Sequence, residues 1–239
     1  MGGLAAILAG GYGKRLRPLT ETIPKPLLEV ANKPIIEHQI EWLSYYGFDE
    51  FLVMVGWLKE KIIERLGSGS KYGVTIIYSV EDEPLGTAGA LKNAEGVLSK
   101  REKFLVVNGD IITNLDPTRL FDVLKNDILA SMAAIPLKSP YGVMDIDENG
   151  YIRGFREKPI IKDYWINAGV YAMRPGVLEY VPQRGDLERT TFPDLAKNKL
   201  LIAVKYSLDK YYWRSIDSHK DLEEATKELK EIGGLIPKS

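Results

Sequence analysis

The chain has 239 residues, 45% of them hydrophobic and 27% charged, with a formal net charge of −1. That composition fits one soluble α/β domain with a sizeable core, and gives no basic surface of the kind nucleic acid needs. There is no cysteine, so disulfides, thiolate nucleophiles and cysteine metal sites are excluded, and His38 and His219 lack metal-ligand spacing. The apolar start, Met1 to Gly10, lacks a basic n-region and is too short to span a bilayer, so neither a membrane anchor nor export is expected and the reading is a cytoplasmic enzyme.

In chain order, Leu4 to Leu8 reads as a buried strand running into glycines. Pro34 opens a helix whose Ile36, Ile40 and Leu43 share one face, and Gly47 ends it. Phe51 to Val55 is a strand, Lys59 to Leu66 a helix, and Val74 to Tyr78 a third strand. A helix from Ala88 to Leu98 and a strand from Phe104 to Val107 complete a β-α-β-α-β-α-β order, which predicts a parallel sheet between helices. After Pro136 the pattern changes. Val143 to Ile146, Ile152 to Phe155 and Ile166 to Ala172 predict an added antiparallel layer. The last helix starts at Ser218, with Asp221 completing a capping box and Leu222, Ala225, Leu229 and Ile232 forming its apolar stripe.

The loop Gly10-Gly11-Tyr12-Gly13-Lys14-Arg15 follows the first strand. Glycines let backbone N–H groups approach a phosphate, and open α/β sheets bind ligands beyond the carboxyl ends of their strands. The loop is not a P-loop, and Leu16 stands where a dinucleotide fingerprint needs its third glycine. Arg15, and Lys25 between Pro24 and Pro26, put two cations beside it, which suits a triphosphate. The competing reading is a surface loop with solvated basic residues. Asp110 closes the segment Phe104 to Gly109 and is placed like a Mg²⁺ ligand, although Asn-Gly-Asp is also good turn chemistry. Around Gly86-Thr87-Ala88-Gly89, small residues permit a flat base to lie against the backbone; a plain helix start is the alternative. Glu157 and Asn167 offer partners for sugar hydroxyls and Lys158 a cation for a sugar phosphate, although an exposed Glu-Lys pair is commonly just solvated.

Gly10 to Thr20, Lys25-Pro26-Leu27-Leu28 and Asn32-Lys33-Pro34-Ile35-Ile36 resemble the signature of the nucleotidyl transferase family that makes activated sugars. Leu85-Gly86-Thr87-Ala88-Gly89, Asn108-Gly109-Asp110, Tyr141-Gly142-Val143, Glu157-Lys158-Pro159 and Asn167-Ala168-Gly169 follow in the family's order, so the resemblance runs from about residue 4 to 225. It implies a Rossmann-like, mostly parallel sheet flanked by helices, with a small antiparallel sugar-binding layer. It implies Mg²⁺ as cofactor, and a nucleoside triphosphate and a sugar 1-phosphate as substrates. Arg15 and Lys25 would be catalytic. Leu8, Ala9, Gly10, Gly11, Gly13, Gly86, Thr87 and Ala88 would hold the nucleotide, and Gly142, Glu157, Lys158 and Asn167 the sugar.

Asp110 would be one metal ligand. Many members carry the second aspartate two residues after a tryptophan, but here that position is Ser215. The cytidylyltransferase branch carries it four residues after, which selects Asp217; the alternative is that Asp217 caps the last helix. The Gly86–Gly89 segment leans towards guanylyl transfer to mannose 1-phosphate. Thymidylyl, uridylyl or cytidylyl transfer to glucose 1-phosphate, and a non-catalytic regulatory relative, are the alternatives. Retention of Arg15, Lys25 and Asp110 counts against the last. No second, β-helical domain is expected, and self-association through another surface is left open.

Overall fold

The computed structural model describes residues 3–125 and 127–236; Met1 and Gly2 of the apolar start lie outside them. The chain begins with β1 (Gly3–Ala9) and a one-turn helix α1 (Leu19–Thr22), then a two-residue ladder of β2 (Glu29–Val30) and β3 (Lys33–Pro34). Next come α2 (Ile35–Tyr45), β4 (Phe48–Val55), α3 (Lys59–Leu66) and β5 (Thr75–Val80). The stretch expected as one helix from Ala88 is two, α4 (Gly86–Asn93) and α5 (Glu95–Leu98), broken where Ala94 leaves helical geometry at φ −90°, ψ 3°. Pro34 is not in the helix it was expected to open. It pairs in β3 and stands just before α2, where its missing N–H costs no helix bond.

Then follow β6 (Phe104–Asn108), β7 (Ile111–Thr113), α6 (Thr118–Asp122), β8 (Ala130–Lys138), β9 (Val143–Ile146) and β10 (Ile152–Arg156). The last part holds β11 (Ile160–Met173), α7 (Thr191–Lys197), β12 (Leu201–Lys205), β13 (Trp213–Ser215) and α8 (His219–Ile232). Seven strands form the main sheet in the order β12-β8-β11-β6-β1-β4-β5. All run one way except β11, which is antiparallel to both neighbours.

The central strands read as continuous apolar runs because both of their faces are covered. Ala5, Ile7 and Ala9 of β1 pack on the side of α2 and α3, with Ile36, Ile40 and Ile62. Leu4 and Ala6 pack on the other side, with Leu91, Leu98 and Phe192. A third, smaller core joins Leu16 of the glycine loop, Ile35, Ile112, Ile216 and Ala225. It welds the loop after β1 to the end of β13 and to α8, and so brings distant parts of the chain to one place.

The antiparallel layer differs from expectation in one respect. β9 and β10 do form a separate antiparallel pair. The segment 166–172, however, belongs to β11, whose second half is buried between β6 and β8 in the main sheet. Val170 and Ala172 face one core and Tyr171 and Met173 the other, so this half is a core strand rather than a lid. No helix among the described residues is long and apolar enough to cross a membrane.

Candidate active site

The site lies beyond the carboxyl ends of β1, β5 and β6, where a cleft of about 400 Å³ opens. Its first wall is the loop after β1. Gly13 has φ 59°, and a Cβ there would stand 2.8 Å from Thr20 Cγ2. The Thr20 hydroxyl donates to the Gly13 carbonyl at 2.9 Å and closes the loop on itself. A Cβ at Gly11 would meet no protein atom within 4 Å, so this glycine keeps backbone bare on the cleft wall. Trp57, just after β4, clasps the same loop at three points. Its N–H donates to the Gly10 carbonyl (3.2 Å), its indole N–H to the Thr20 carbonyl (2.9 Å), and its ring stands 5.2 Å from Tyr12.

The floor carries the charged centre. Asp110 sits in the tight turn between β6 and β7, where a side chain at Gly109 would run into the Leu8 carbonyl. The Gln39 amide of α2 donates to the carbonyls of Asn108 and Ile111, each at 2.8 Å, and the Ile216 N–H donates to the Asp110 carbonyl at 2.9 Å. The β7–β13 ladder, with Ser215 opposite Ile111, then delivers Asp217 beside Asp110. The Lys25 ammonium lies between the two carboxylates, 2.7 Å from Asp110 Oδ2 and 3.1 Å from Asp217 Oδ1. Arg15 reaches the same Asp217 oxygen at 2.7 Å from an otherwise exposed position.

Asp217 does not cap the last helix. Ser218 is the cap, its hydroxyl accepting from the Asp221 N–H while the Asp221 carboxylate accepts from the Ser218 N–H. Ser215, at the family's usual aspartate position, donates its hydroxyl to Asp217 Oδ2 at 2.8 Å. Burial pushes the Asp217 carboxyl up, but the Lys25 charge, the Ser215 bond and Arg15 outweigh it and hold it below the usual carboxylate range.

This centre fits a divalent cation. Two carboxylates already converge on one cationic nitrogen, and oxygen-only donors suit Mg²⁺, which keeps waters and takes substrate phosphate oxygens. No cluster of three or more metal-binding side chains occurs among the described residues, so water and substrate would supply the remaining ligands.

The other wall is β5 and the start of α4. Glu81 lies at the carboxyl end of β5, and Gly10 leaves room for it, since a Cβ there would be 3.1 Å from Glu81 Oε1. Burial pushes the Glu81 carboxyl up, offset only in part by the Leu85 N–H. Sequence reading passed over Glu81; the strand-end rule applied to β5 would have found it.

The small residues of Gly86-Thr87-Ala88-Gly89 have a reason different from the one expected. They admit the Gln183–Glu188 loop. A side chain at Gly86 would strike the Gly185 carbonyl, and a Cβ at Gly89 would stand 2.7 Å from the Gln183 carbonyl. Thr87 binds this loop through the Leu187 N–H (2.8 Å) and Glu188 Oε2 (3.2 Å). The loop brings Asp186 onto the wall, a residue sequence reading also missed. Leu8, Gly10, Gly11, Gly13, Gly86 and Thr87 all line the cleft, whereas Ala9 and Ala88 are buried behind it.

The residues expected on the sugar side stand apart from this cleft wall. Gly142 precedes β9, and Glu157 and Lys158 follow β10. A Cβ at Gly142 would press on Phe155 and stand 3.1 Å from Glu157 Oε2, so these two positions adjoin. Glu157 and Lys158 pair loosely at 3.5 Å and are exposed. Asn167 is engaged at both ends of its amide: Nδ2 donates to the Tyr171 hydroxyl (2.7 Å) and Oδ1 accepts from the Gly169 N–H (2.8 Å).

The family model described as nucleotidyl transferase matches residues 4–232. A mannose-1-phosphate guanyltransferase of Yarrowia lipolytica is 42% identical over 92% of this chain and 62% of its own length. One of Saccharomyces cerevisiae is 41% identical over 92% of this chain and 63% of its own. The chain thus spans less than two thirds of the curated relatives it matches. The crystal structure of HddC from Yersinia pseudotuberculosis, complexed with GMP-PN, superposes with a TM-score of 0.73 at 26% identity, covering 95% of this chain and 99% of that one. On the extent of the family match and the identity to these relatives, this chain belongs to the nucleotidyl transferase family.

Proposed function

We propose that the chain joins GTP to mannose 1-phosphate, giving GDP-mannose and pyrophosphate. The carrying observation is the Lys25 ammonium held between Asp110 and Asp217 at the floor of a glycine-walled cleft. An anionic oxygen of the sugar phosphate attacks the α-phosphorus of GTP in line. The new O–P bond forms as the bond to the β-phosphate oxygen breaks, and the electron pair leaves with pyrophosphate. The attacking oxygen is already ionised near neutral pH, so no general base is needed. Arg15 and Lys25 neutralise charge on the phosphates, and the bare backbone of Gly10, Gly11 and Gly13 lets them approach closely. Asp110 and Asp217 would hold Mg²⁺, which when bound neutralises phosphate charge and orients the triphosphate. Gly142, Glu157, Lys158 and Asn167 are proposed to hold the sugar phosphate.

Glu81 supports guanine as the base. A carboxylate accepts two parallel N–H bonds, and guanine presents such a pair at N1 and its 2-amino group. Similarity to mannose-1-phosphate guanyltransferases supports the same substrates. The test is pyrophosphate release with Mg²⁺, screening GTP, UTP, dTTP, CTP and ATP against mannose and glucose 1-phosphate. Release requiring GTP and mannose 1-phosphate together is expected. Glu81→Gln should lower kcat/KM for GTP about tenfold or more, as loss of one charged hydrogen bond does. Equal release with several bases, or an unchanged Glu81→Gln variant, would remove the guanine assignment.

A further inference from the structure

Asp217 lies past the end of its strand. The β7–β13 ladder stops at Ser215, opposite Ile111, and only the bond from the Ile216 N–H to the Asp110 carbonyl follows before Asp217. A carboxylate at position 215 would be fixed by strand pairing; one at position 217 needs another hold. Ser215 and Asp221 supply it. The Ser215 hydroxyl donates to Asp217 Oδ2 at 2.8 Å and leaves Oδ1 to Lys25 and Arg15. The Asp217 N–H donates to Asp221 Oδ2 at 3.1 Å, and that oxygen also accepts from the Ser218 N–H and hydroxyl, each at 2.8 Å.

Asp221 is held from behind. Asp221, Glu224 and Glu228 stand at i, i+3 and i+7, on one face of α8, and Arg214 of β13 meets all three. Its Nε and Nη2 fork onto Glu228 at 2.9 and 2.6 Å, and Nη1 reaches Glu224 at 2.9 Å and Asp221 Oδ1 at 3.3 Å. The Arg214 side chain is 14% exposed, so these bonds are little screened by solvent. The fork on Glu228 docks the helix. The Asp221 bond does something further, because the second oxygen of the same carboxylate grips the backbone of Asp217.

We propose that Arg214 and Asp221 are positioning residues of the cleft floor, an inference that rests on the reading of Asp217 as a Mg²⁺ ligand. Arg214 fixes Asp221, Asp221 fixes the Asp217 backbone, and Ser215 sets the turn of the carboxylate so that Oδ1 faces Lys25. Partners behind a metal-binding group orient it, and losing one costs on the order of 10- to 100-fold in metal affinity or activity. A helix cap with no other part to play predicts no such cost.

The test compares Asp221→Ala and Arg214→Lys with Ser218→Ala. Ser218→Ala removes the cap hydroxyl but leaves Asp221 between Arg214 and the Asp217 N–H, so it reports lost capping by itself. Arg214→Lys keeps a cation but cannot fork. The first readout is NMR exchange of the Asp217 amide in the free enzyme, without metal or substrates. Exchange should quicken about tenfold in Asp221→Ala, the worth of one hydrogen bond to a charged group, and in the same direction in Arg214→Lys, but not in Ser218→Ala. The second is the Mg²⁺ concentration for half-maximal pyrophosphate release at saturating substrates. It should rise about tenfold in Asp221→Ala and hold its wild-type value in Ser218→Ala. Unchanged Asp217 exchange in Arg214→Lys would overturn the proposal, as would a Mg²⁺ requirement that moves equally in Asp221→Ala and Ser218→Ala. If Asp221→Ala does not fold, Arg214→Lys carries both readouts. A wild type that releases no pyrophosphate with Mg²⁺ would sink the reading of Asp217 as a ligand instead, and exchange alone would then decide whether Arg214 and Asp221 hold its backbone.

Discussion

The cleft floor and the β9–β10 hairpin are built on opposite principles. On the floor the charged side chains stand on backbone that short bonds fix in place. Asp110 rests on a turn held by Gln39 and Ile216, and Asp217 on a strand paired to β7. Lys25, Asp110 and Asp217 meet within 3.1 Å. The hairpin, with Gly142 and Glu157 at its feet, is exposed on both faces and pairs only with itself. Charge neutralisation in phosphoryl transfer needs groups fixed in advance, which a doubly covered parallel sheet supplies. For the proposed reaction a sugar must enter and leave, and a projecting hairpin leaves that side open.

Breaking the floor should have the largest effect. Lys25→Ala should lower turnover about 10²–10³-fold, the usual loss for one fixed charge-stabilising group, while the circular-dichroism melt stays cooperative. Near-normal turnover would take Lys25 out of the mechanism. On the hairpin side, Glu157→Gln should raise KM for the sugar phosphate about tenfold and leave nucleotide affinity by calorimetry unchanged. A matching loss of nucleotide affinity would mean that the two regions are not separate.

Smaller still, Trp57→Phe keeps the ring beside Tyr12 but removes the indole bond to the Thr20 carbonyl. It should raise KM for the nucleotide about two- to fivefold, the worth of one hydrogen bond, with little change in kcat. Pulse-labelled hydrogen exchange of residues 10–20 should quicken in step; an unchanged rate would mean that the clasp does not hold the loop.

The smallest effect concerns pH. The Asp217 carboxyl titrates below its unfolded value of 3.8. Its stabilising contribution is therefore present above 3.8 and lost as pH falls through the lower folded value. Asp217→Asn should melt about 2–4 °C below wild type at neutral pH for each kcal/mol lost, and the gap should close in acid. A gap that persists at low pH would assign the loss to packing.

Much of this was legible in the residues. Periodicity marked β1, α2, β4, α3, β5 and β6, because a strand covered on both faces must be apolar throughout and a helix covered on one must be striped. The glycine loop was legible because positive φ and close approach leave few alternatives to glycine at a position such as Gly13. The motif order grouped Arg15, Lys25 and Asp110, and the three line one cleft. Tertiary structure decided the rest. Asp217, not Ser215, faces Lys25 because the β7–β13 register and the Ser218 cap set where the chain turns. Ile166 to Ala172 joins the main sheet because β6 and β8 leave a gap that only a strand fills, and pairing over such separations leaves no local signal. Asp186 reaches the cleft for the same reason, on a loop far from the strands it faces. Local pattern reports which side of an element is buried, while which elements share a wall depends on contacts between residues far apart in the chain.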